Sequence, residues 1–344
     1  MRGFAIALLA GLLASTAHAQ NAGSYHLSKT VALGSPDRWD YLVFDGASNR
    51  LYVSHGDRVT VLDGKNGTIL GNVEGMPGGT HGIGIVTAIG KGYTDDGKAG
   101  EAVAFDLKSL KTSKRIKAQD DADGIAFDPV SGHIFVVDGD SKVLTVIDPK
   151  TDSAIATVDG GGGLEYAVSG NNGKLYVNGA EKKEIVRVDT ASNKVDAHWP
   201  IPGCTSPHGL AIDMKTERLF VSCVNQVLTV VNAQSGAVVA AIPIGSGTDA
   251  AAFDPLRKLV FSSNYDGTVS VIQQISADKY QALESIKTGI TGRNMTIDPA
   301  TGRLFVAVAD IDPNAPVPMG ANGRPGRARP LPESLKILFF DPDR

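Results

Sequence analysis

Polar and charged side chains recur at one position of the chain at intervals of 41 to 44 residues. Two of them are imidazoles and three are aspartates, and neutral His and ionised Asp together suit a divalent metal ion. The recurring positions are Asp40, His81, Asp123, Leu164, His208, Asp249 and Arg293, with Glu165 and Asn294 each one place further on.

The elements that must position these side chains are short β-strands of an internal repeat. Its second strand gives the clearest register, as in Arg50-Leu51-Tyr52-Val53 and Lys174-Leu175-Tyr176-Val177, and it occurs seven times. Six residues before the central Leu or Ile of that strand, five of the seven units carry Asp, as at Asp45 and Asp254. Runs rich in β-branched residues, separated by turn residues, predict strands, and the regular spacing predicts a repeat fold.

This repeat predicts an all-β fold, a seven-bladed β-propeller with four antiparallel strands per blade around a central channel. The last unit has a third strand near Asp341 but no fourth strand after it. We therefore expect residues 25–33 to supply the missing strand and close the ring. The alternative is a long β-solenoid, which predicts a shorter repeat and no such exchange.

In a propeller the first strand of each blade lines the channel, so the recurring polar position is expected at the channel mouth. The predicted ligand-binding residues are Asp40, His81, Asp123, Glu165, His208, Asp249, Arg293 and Asn294. The predicted metal ligands among them are His81, His208, Asp123 and Asp249. One ion needs its ligand atoms at about 2.0 to 2.6 Å, whereas seven blades spread these positions around a channel. The distance across the channel favours the other interpretation, a hydrated polar channel without a metal.

Gly82, Gly124 and Gly209 directly follow three of these polar residues. They would let a ligand approach the backbone, or they would relieve crowding between the inner strands. We favour the second interpretation.

Cys204 and Cys223 are the only cysteines in the chain. They predict a disulfide that fixes a loop beside the channel mouth; two buried thiols are the alternative.

The largest departure from the repeat is a segment at residues 311–332, which contains six prolines together with Arg324, Arg327 and Arg329. It lies between the second and third strands of the last blade. A segment of this kind is semi-rigid and could cover the channel or dock a partner, or it is a mobile loop.

Residues 1–19 have the three-part pattern of a secretory signal peptide, with cleavage expected near Ala19/Gln20. We expect residues 20–344 to form a single domain that is periplasmic or secreted, without a membrane span, and monomeric. The formal net charge of −4 argues against nucleic acid as the main partner.

Several motifs resemble those of the YncE-like proteins with YVTN-type repeats. They are Trp39-Asp40-Tyr41-Leu42, Arg50-Leu51-Tyr52-Val53-Ser54-His55, Lys174-Leu175-Tyr176-Val177-Asn178 and Asp249-Ala250-Ala251-Ala252-Phe253-Asp254-Pro255. This resemblance extends over nearly all of the chain after residue 19 and implies an exported seven-bladed propeller. It implies no particular activity.

Two functional hypotheses follow. The first is a binding or scaffolding protein that recognises a small molecule, a metal or an envelope protein at the channel mouth. The second is a metal-dependent lyase, hydrolase or oxidoreductase at the same place. No nucleophile, nucleotide or metalloprotease motif is present in the sequence, and the fold alone does not decide between the hypotheses.

Overall fold

Twenty-nine short strands form seven separate sheets in the computed structural model, which describes residues 23–317 and 326–343. The paired strands of these sheets run antiparallel, as where Ala126 lies opposite Phe135 in the third blade, and the other blades are built in the same way. The predicted seven-bladed propeller is therefore confirmed. The predicted signal peptide and the middle of the 311–332 segment lie outside the described residues.

The first three blades are regular four-stranded sheets. Blade 1 contains β2 (Leu42–Asp45), β3 (Arg50–His55), β4 (Arg58–Asp63) and β5 (Ile69–Glu74). Blade 2 contains β6 (Ile83–Val86), β7 (Lys91–Asp96), β8 (Glu101–Asp106) and β9 (Thr112–Lys117), with short 3-10 turns at Thr87–Ile89 and Gly97–Ala99. Blade 3 contains β10 (Ala122–Asp128), β11 (His133–Asp138), β12 (Val143–Asp148) and β13 (Ser153–Asp159).

The next three blades follow the same plan, except that the outer strand of blade 6 is broken into two pieces. Blade 4 contains β14 (Ala167–Ser169), β15 (Lys174–Gly179), β16 (Glu184–Asp189) and β17 (Lys194–Pro200). Blade 5 contains β18 (Pro207–Asp213), β19 (Arg218–Cys223), β20 (Val227–Asn232) and β21 (Val238–Pro243). Blade 6 contains β22 (Thr248–Asp254), β23 (Leu259–Asn264), β24 (Thr268–Ser276), β25 (Lys279–Ala282) and β26 (Ile286–Lys287).

Blade 7 closes the ring as predicted. Its strands are β27 (Asn294–Ile297), β28 (Leu304–Val308), β29 (Lys336–Pro342) and, on the outside, the N-terminal β1 (Tyr25–Ala32). β1 pairs with β29 from Tyr25 opposite Pro342 to Ala32 opposite Lys336. The two ends of the described chain thus share one sheet, which joins the first and last blades.

The hydrophobic core is divided among the seven blade interfaces. Each interface holds one cluster of buried side chains, such as Tyr52 with Phe105 between blades 1 and 2, and Phe135 with Val177 between blades 3 and 4. Each innermost strand contacts the innermost strands of both neighbouring blades. Packing between blades therefore holds the inner strands, and the residues at their ends, around the channel.

The recurring Asp has a structural role in the turn after the first strand of the five blades that carry it. The Oδ1 atom of Asp254 accepts hydrogen bonds from the backbone N–H groups of Leu256 and Arg257, at 2.8 and 3.0 Å. Asp213 and Asp298 accept equivalent bonds. The Asp that recurs in the sequence thus caps the turn that directly follows it, as short polar side chains do in turns.

The described parts of the 311–332 segment are tied to the rim of the ring. Ile311 pairs with Pro330. The Asp37 carboxylate accepts the backbone N–H groups of Glu333, Ser334 and Leu335 at 2.7 to 2.9 Å. The pairing at Pro330 and the bonds just after the segment hold its C-terminal end at the rim.

Among the described residues, no helix is long and apolar enough to cross a membrane.

Candidate metal centre at the channel mouth

Bulges in three of the inner strands lie at predicted site residues and set the direction of their side chains. The ladder between β10 and β11 passes from Ala122 directly to Gly124, so Asp123 has no partner. The ladder of blade 6 skips Asp249 in the same way, and the ladder of blade 5 skips His208 together with Gly209. A bulge of this kind bends a strand and redirects the extra side chain, and here three blades use it at the same point of the repeat.

Asp40, His81 and Asp123 form a compact group at the mouth. Each offers one potential ligand atom, and the three atoms all lie within 4.8 Å of one another. The residues come from the consecutive blades 1, 2 and 3, where the inner strands are neighbours. Two carboxylates and one imidazole are a donor set that divalent metals accept.

The His81 ring is held in place by a buried carboxylate on the next strand of its own blade. Nδ1 of His81 lies 2.7 Å from Oδ2 of Asp95, whose side chain is 0% exposed. Asp95 Oδ1 also accepts the backbone N–H groups of His81 and Gly82, at 2.9 and 2.7 Å. The ring orientation is therefore fixed, and Nε2 is the nitrogen left to meet a ligand.

Nε2 of His81 lies in a position that attracts positive charge. Nη2 of Arg38 is 3.1 Å from it, and this contact is a hydrogen bond only when Nε2 is unprotonated. Burial alone would lower the pKa of His81, but the hydrogen bond to Asp95 and the charges of Asp95, Asp123 and Asp40 raise it to about 9. Nε2 therefore either carries a proton or accepts a hydrogen bond from the guanidinium of Arg38.

Asp123 of this group and Asp95, which holds the His81 ring, both have raised pKa values. Burial, followed by the charge of nearby Asp40, raises the pKa of Asp123 well above its usual value. Burial also raises the pKa of Asp95 to about 6, against the lowering effect of His81. Like charges in a poorly hydrated place disfavour ionisation, and a cation between Asp40 and Asp123 would relieve that cost.

On the opposite side of the mouth, the negative charge of Asp249 is neutralised by an arginine. Arg293 of blade 7 forms an ion pair with Asp249 of blade 6, and its Nη2 lies 3.9 Å from Oδ2 of Asp40. The Asn294 amide nitrogen lies 3.3 Å from Asp40 and 3.4 Å from Asp249. Asp249 therefore has a cationic partner within the protein.

Glu165 and His208 form a second pair beside the mouth. Nδ1 of His208 lies 3.5 Å from Oε1 of Glu165 but makes no hydrogen bond within the described residues. Burial, and then the charge of Asp40, raises the pKa of Glu165 to about 7. Burial, and then the charge of Arg327, lowers the pKa of His208 to about 4. Between these values the pair carries a single proton.

The structure thus divides the predicted metal ligands. His81 and Asp123 belong to the compact group, and Asp40, predicted only as a ligand-binding residue, is its third member. Asp249 pairs with Arg293, and His208 faces Glu165. The physical reason is that the consecutive blades 1, 2 and 3 bring their side chains to one point, whereas Asp249 and His208 face partners of their own. That the eight mouth residues bind a ligand remains a prediction.

An aromatic pair, which sequence reasoning missed, crosses the channel next to the acidic group. The rings of Tyr41 from blade 1 and Tyr166 from blade 4 are 4.7 Å apart. Burial, and then the charges of Asp123 and Asp40, raise the pKa of Tyr41 well above its usual value. The pair narrows the channel beside the mouth residues.

Crowding explains two of the three glycines that follow the polar residues. A Cβ on Gly209 would lie 2.5 Å from the carbonyl carbon of Ala250, and one on Gly82 would meet the backbone of Asp123 and Ile125. The nearest atom to a Cβ on Gly124 would be 3.1 Å away. Close approach of neighbouring inner strands therefore requires glycine at positions 82 and 209, which supports the structural interpretation.

Cys204 and Cys223 form the predicted disulfide, with their Cα atoms 5.4 Å apart. Cys204 lies in the loop that enters blade 5, and Cys223 ends β19. The bond joins two points of the hydrophobic cluster between blades 4 and 5. It tethers the loop that leads to His208, four residues after Cys204.

Comparison with known proteins supports the fold and leaves the family open. No model of a known protein family matches the chain. No curated protein sequence matches it either. Among solved structures, a chain of Kuenenia stuttgartiensis hydrazine synthase aligns with a TM-score of 0.68 and 13% identity, over 86% of this chain and 96% of that chain.

A second solved structure, titled U3-55K, aligns with a TM-score of 0.73 and 12% identity, over 90% of this chain and 97% of that chain. Identities this low carry information about the fold alone. The chain is therefore a seven-bladed β-propeller, and membership of the YncE-like family remains an expectation from its motifs.

Proposed function

We propose that this propeller is a binding protein that holds a divalent cation at its channel mouth, between Asp40, His81 and Asp123, and uses that mouth to recognise its ligand. The observation that carries the proposal is the mutual 4.8 Å limit on the three potential ligand atoms. An ion bound at 2.0 to 2.6 Å can join donor atoms up to about 5 Å apart. Small side-chain adjustments would complete the set.

Two further features support a cation here. In histidines that bind metals, the N–H of the other ring nitrogen usually donates a hydrogen bond to a carboxylate, which fixes the ring, and Asp95 stands in that position for His81. Burial, and then the charge of Asp40, raises the pKa of Asp123, and a bound cation would offset both effects. For an ion to bind Nε2, Arg38 must move away, because both would use the same lone pair.

The test is metal content, measured by elemental mass spectrometry on protein purified without chelators or a histidine tag. We expect close to one divalent ion per chain, lost in His81→Ala and retained in His208→Ala. The second variant is the matched control, because it removes an imidazole from the same mouth but outside the compact group. Equal metal content in both variants, or none in the wild type, would reject the proposal.

We place this function in the periplasm or outside the cell. The disulfide supports an oxidising compartment, and the pattern of residues 1–19 supports export. Sequencing the N-terminus of the protein from a periplasmic fraction should find Gln20 first. A product that retains Met1 would contradict export by this route.

A metal-dependent enzyme is the second candidate, and the Glu165–His208 pair favours it. An imidazole that makes no hydrogen bond within the described residues, close to a carboxyl group and beside the candidate ion, could move a proton on a bound ligand. The test compares His208→Ala with wild type in hydrolase, lyase and oxidoreductase assays. An enzyme should lose turnover while keeping its metal; a binding protein should show no turnover in either form.

A further inference from the structure

We propose a second binding site, beside the candidate metal group, that takes the oxyanion group of a small ligand, a carboxylate or a phosphate. The site is a cavity of about 140 Å³ whose walls include Arg38, Arg293 and Arg327. Whole drug-sized ligands occupy cavities of roughly 300 to 1,000 Å³. This cavity therefore has room for one small group of a ligand whose remainder lies in the open mouth.

The charge of the cavity wall is positive. Arg293 is committed to Asp249. Arg327 makes no ion pair with any residue in 23–317 or 326–343, and the contact that Arg38 makes is with an imidazole. The one carboxylate in the wall, Asp37, is satisfied by three backbone N–H groups of residues 333–335. Two guanidinium charges thus remain without an acidic partner among the described residues.

Arg327 is placed over the cavity by a specific contact. The hydroxyl of Tyr265, from the loop after β23, accepts the backbone N–H of Ala328 at 3.0 Å. Tyr265 also lines the cavity, so it is a positioning residue that holds residues 326–330 against the wall. Its own O–H proton remains able to donate to a bound oxyanion.

Arg327 and Arg293 are close enough for the charge of one to act on the other. Burial, together with the charge of Arg327, lowers the pKa of Arg293, although Asp40 acts in the opposite direction. Guanidinium forks match carboxylate and phosphate oxygens in pairs. An oxyanion between Arg38 and Arg327 would supply the missing negative charge and would also draw Arg38 away from Nε2 of His81, leaving that nitrogen to the cation.

The experiment is isothermal titration of protein dialysed against EDTA, with inorganic phosphate in one arm and acetate in the other. We expect saturable binding of at least one probe at low salt, weakened at least tenfold in Arg327→Gln. The matched control is Arg329→Gln, an exposed arginine of the same segment outside the cavity wall. Binding of phosphate alone identifies a phosphate ligand, and binding of acetate alone identifies a carboxylate ligand. Either result supports the site.

Absence of binding in both arms, or equal loss in Arg327→Gln and Arg329→Gln, would overturn the proposal. Because the protein in these titrations is free of metal, the result is independent of the cation site. His81→Ala should bind the anion at least as tightly as the wild type does, because its Arg38 no longer has to leave Nε2, so failure of one proposal is distinguishable from failure of the other.

Discussion

The Nδ1 atom of His81 and the Oδ2 atom of Asp95 lie 2.7 Å apart, and this hydrogen bond joins the channel mouth to the buried interior of blade 2. It determines which imidazole nitrogen is available at the mouth. Asp95 itself is buried, so it would act on a bound ion only through the His81 ring.

Asp95→Asn should weaken divalent-metal binding by about 10- to 100-fold, because the amide no longer fixes the His81 ring and its basicity as the carboxylate does. Zn²⁺ titration monitored by calorimetry measures the change. Asp96→Asn is the matched control: Asp96 is an adjacent buried aspartate that contacts Gly78 and Arg115 instead of His81. Similar affinities in Asp95→Asn and wild type would remove Asp95 from the site.

The stability of the fold should change with pH in opposite directions in two variants, one that keeps only Glu165 of this pair and one that keeps only His208. In His208→Gln, the raised pKa of Glu165 means that the folded state keeps a proton which the unfolded state loses, so stability should fall as pH rises from about 4.5 to 7. In Glu165→Gln, the lowered pKa of His208 means that the unfolded state binds a proton which the folded state refuses. Stability should then fall as pH drops from about 6.5 to 4.

Each effect should be on the order of 2 to 3 kcal/mol across its window, since one pKa unit corresponds to about 1.4 kcal/mol. In the wild type the two effects largely cancel. Urea unfolding at pH 4.5, 5.5 and 7 measures all three proteins. Slopes of the same sign in the two variants would contradict this account of the pair.

Gly209→Ala should destabilise the fold by about 1 to 3 kcal/mol, because its Cβ would press on the backbone of the neighbouring blade. Gly163→Ala is the control: its Cβ would meet Glu181 only at 3.4 Å, an ordinary contact, and surface changes of this kind stay within about 0.5 kcal/mol. Chemical denaturation compares the two. If the Gly209 variant is as stable as the control, crowding does not explain that glycine.

Replacing both Cys204 and Cys223 by Ser should lower stability by roughly 3 kcal/mol, the chain-entropy estimate for a loop of this size. Metal affinity should not change, because the loop that the bond tethers leads to His208, outside the compact group. Urea unfolding of the variant and of wild type, with and without reductant, measures the stability. A matching loss of metal would show that this loop also shapes the cation site.

Much of the fold can be predicted from the sequence, because the repeat consists of interactions between residues that are close together in the chain. The Asp that caps each turn, as at Asp254, and the strand after it are visible at a constant spacing. Closure by residues 25–33 follows because the last unit has no outer strand of its own. The disulfide follows because only one pair of cysteines exists.

The site is less predictable. The position of a residue within the repeat indicates its level along the channel, but it does not indicate the distance between two side chains across the channel. Asp123 and Asp249 occupy equivalent bulges, yet the first faces other acids and the second meets Arg293 from the next blade. Their difference arises from the neighbour on each side. The contact between Tyr41 and Tyr166 joins blades that are far apart in the chain, and no periodic pattern marks it.

The most direct test of the cation site is to crystallise the protein with Mn²⁺ and collect diffraction data for anomalous scattering. We predict an anomalous peak bonded to the carboxylates of Asp40 and Asp123 and to Nε2 of His81, with Arg38 turned away and with no such peak in crystals of His81→Ala. A peak between His208 and Asp249, or none at the channel mouth, would contradict the proposed site.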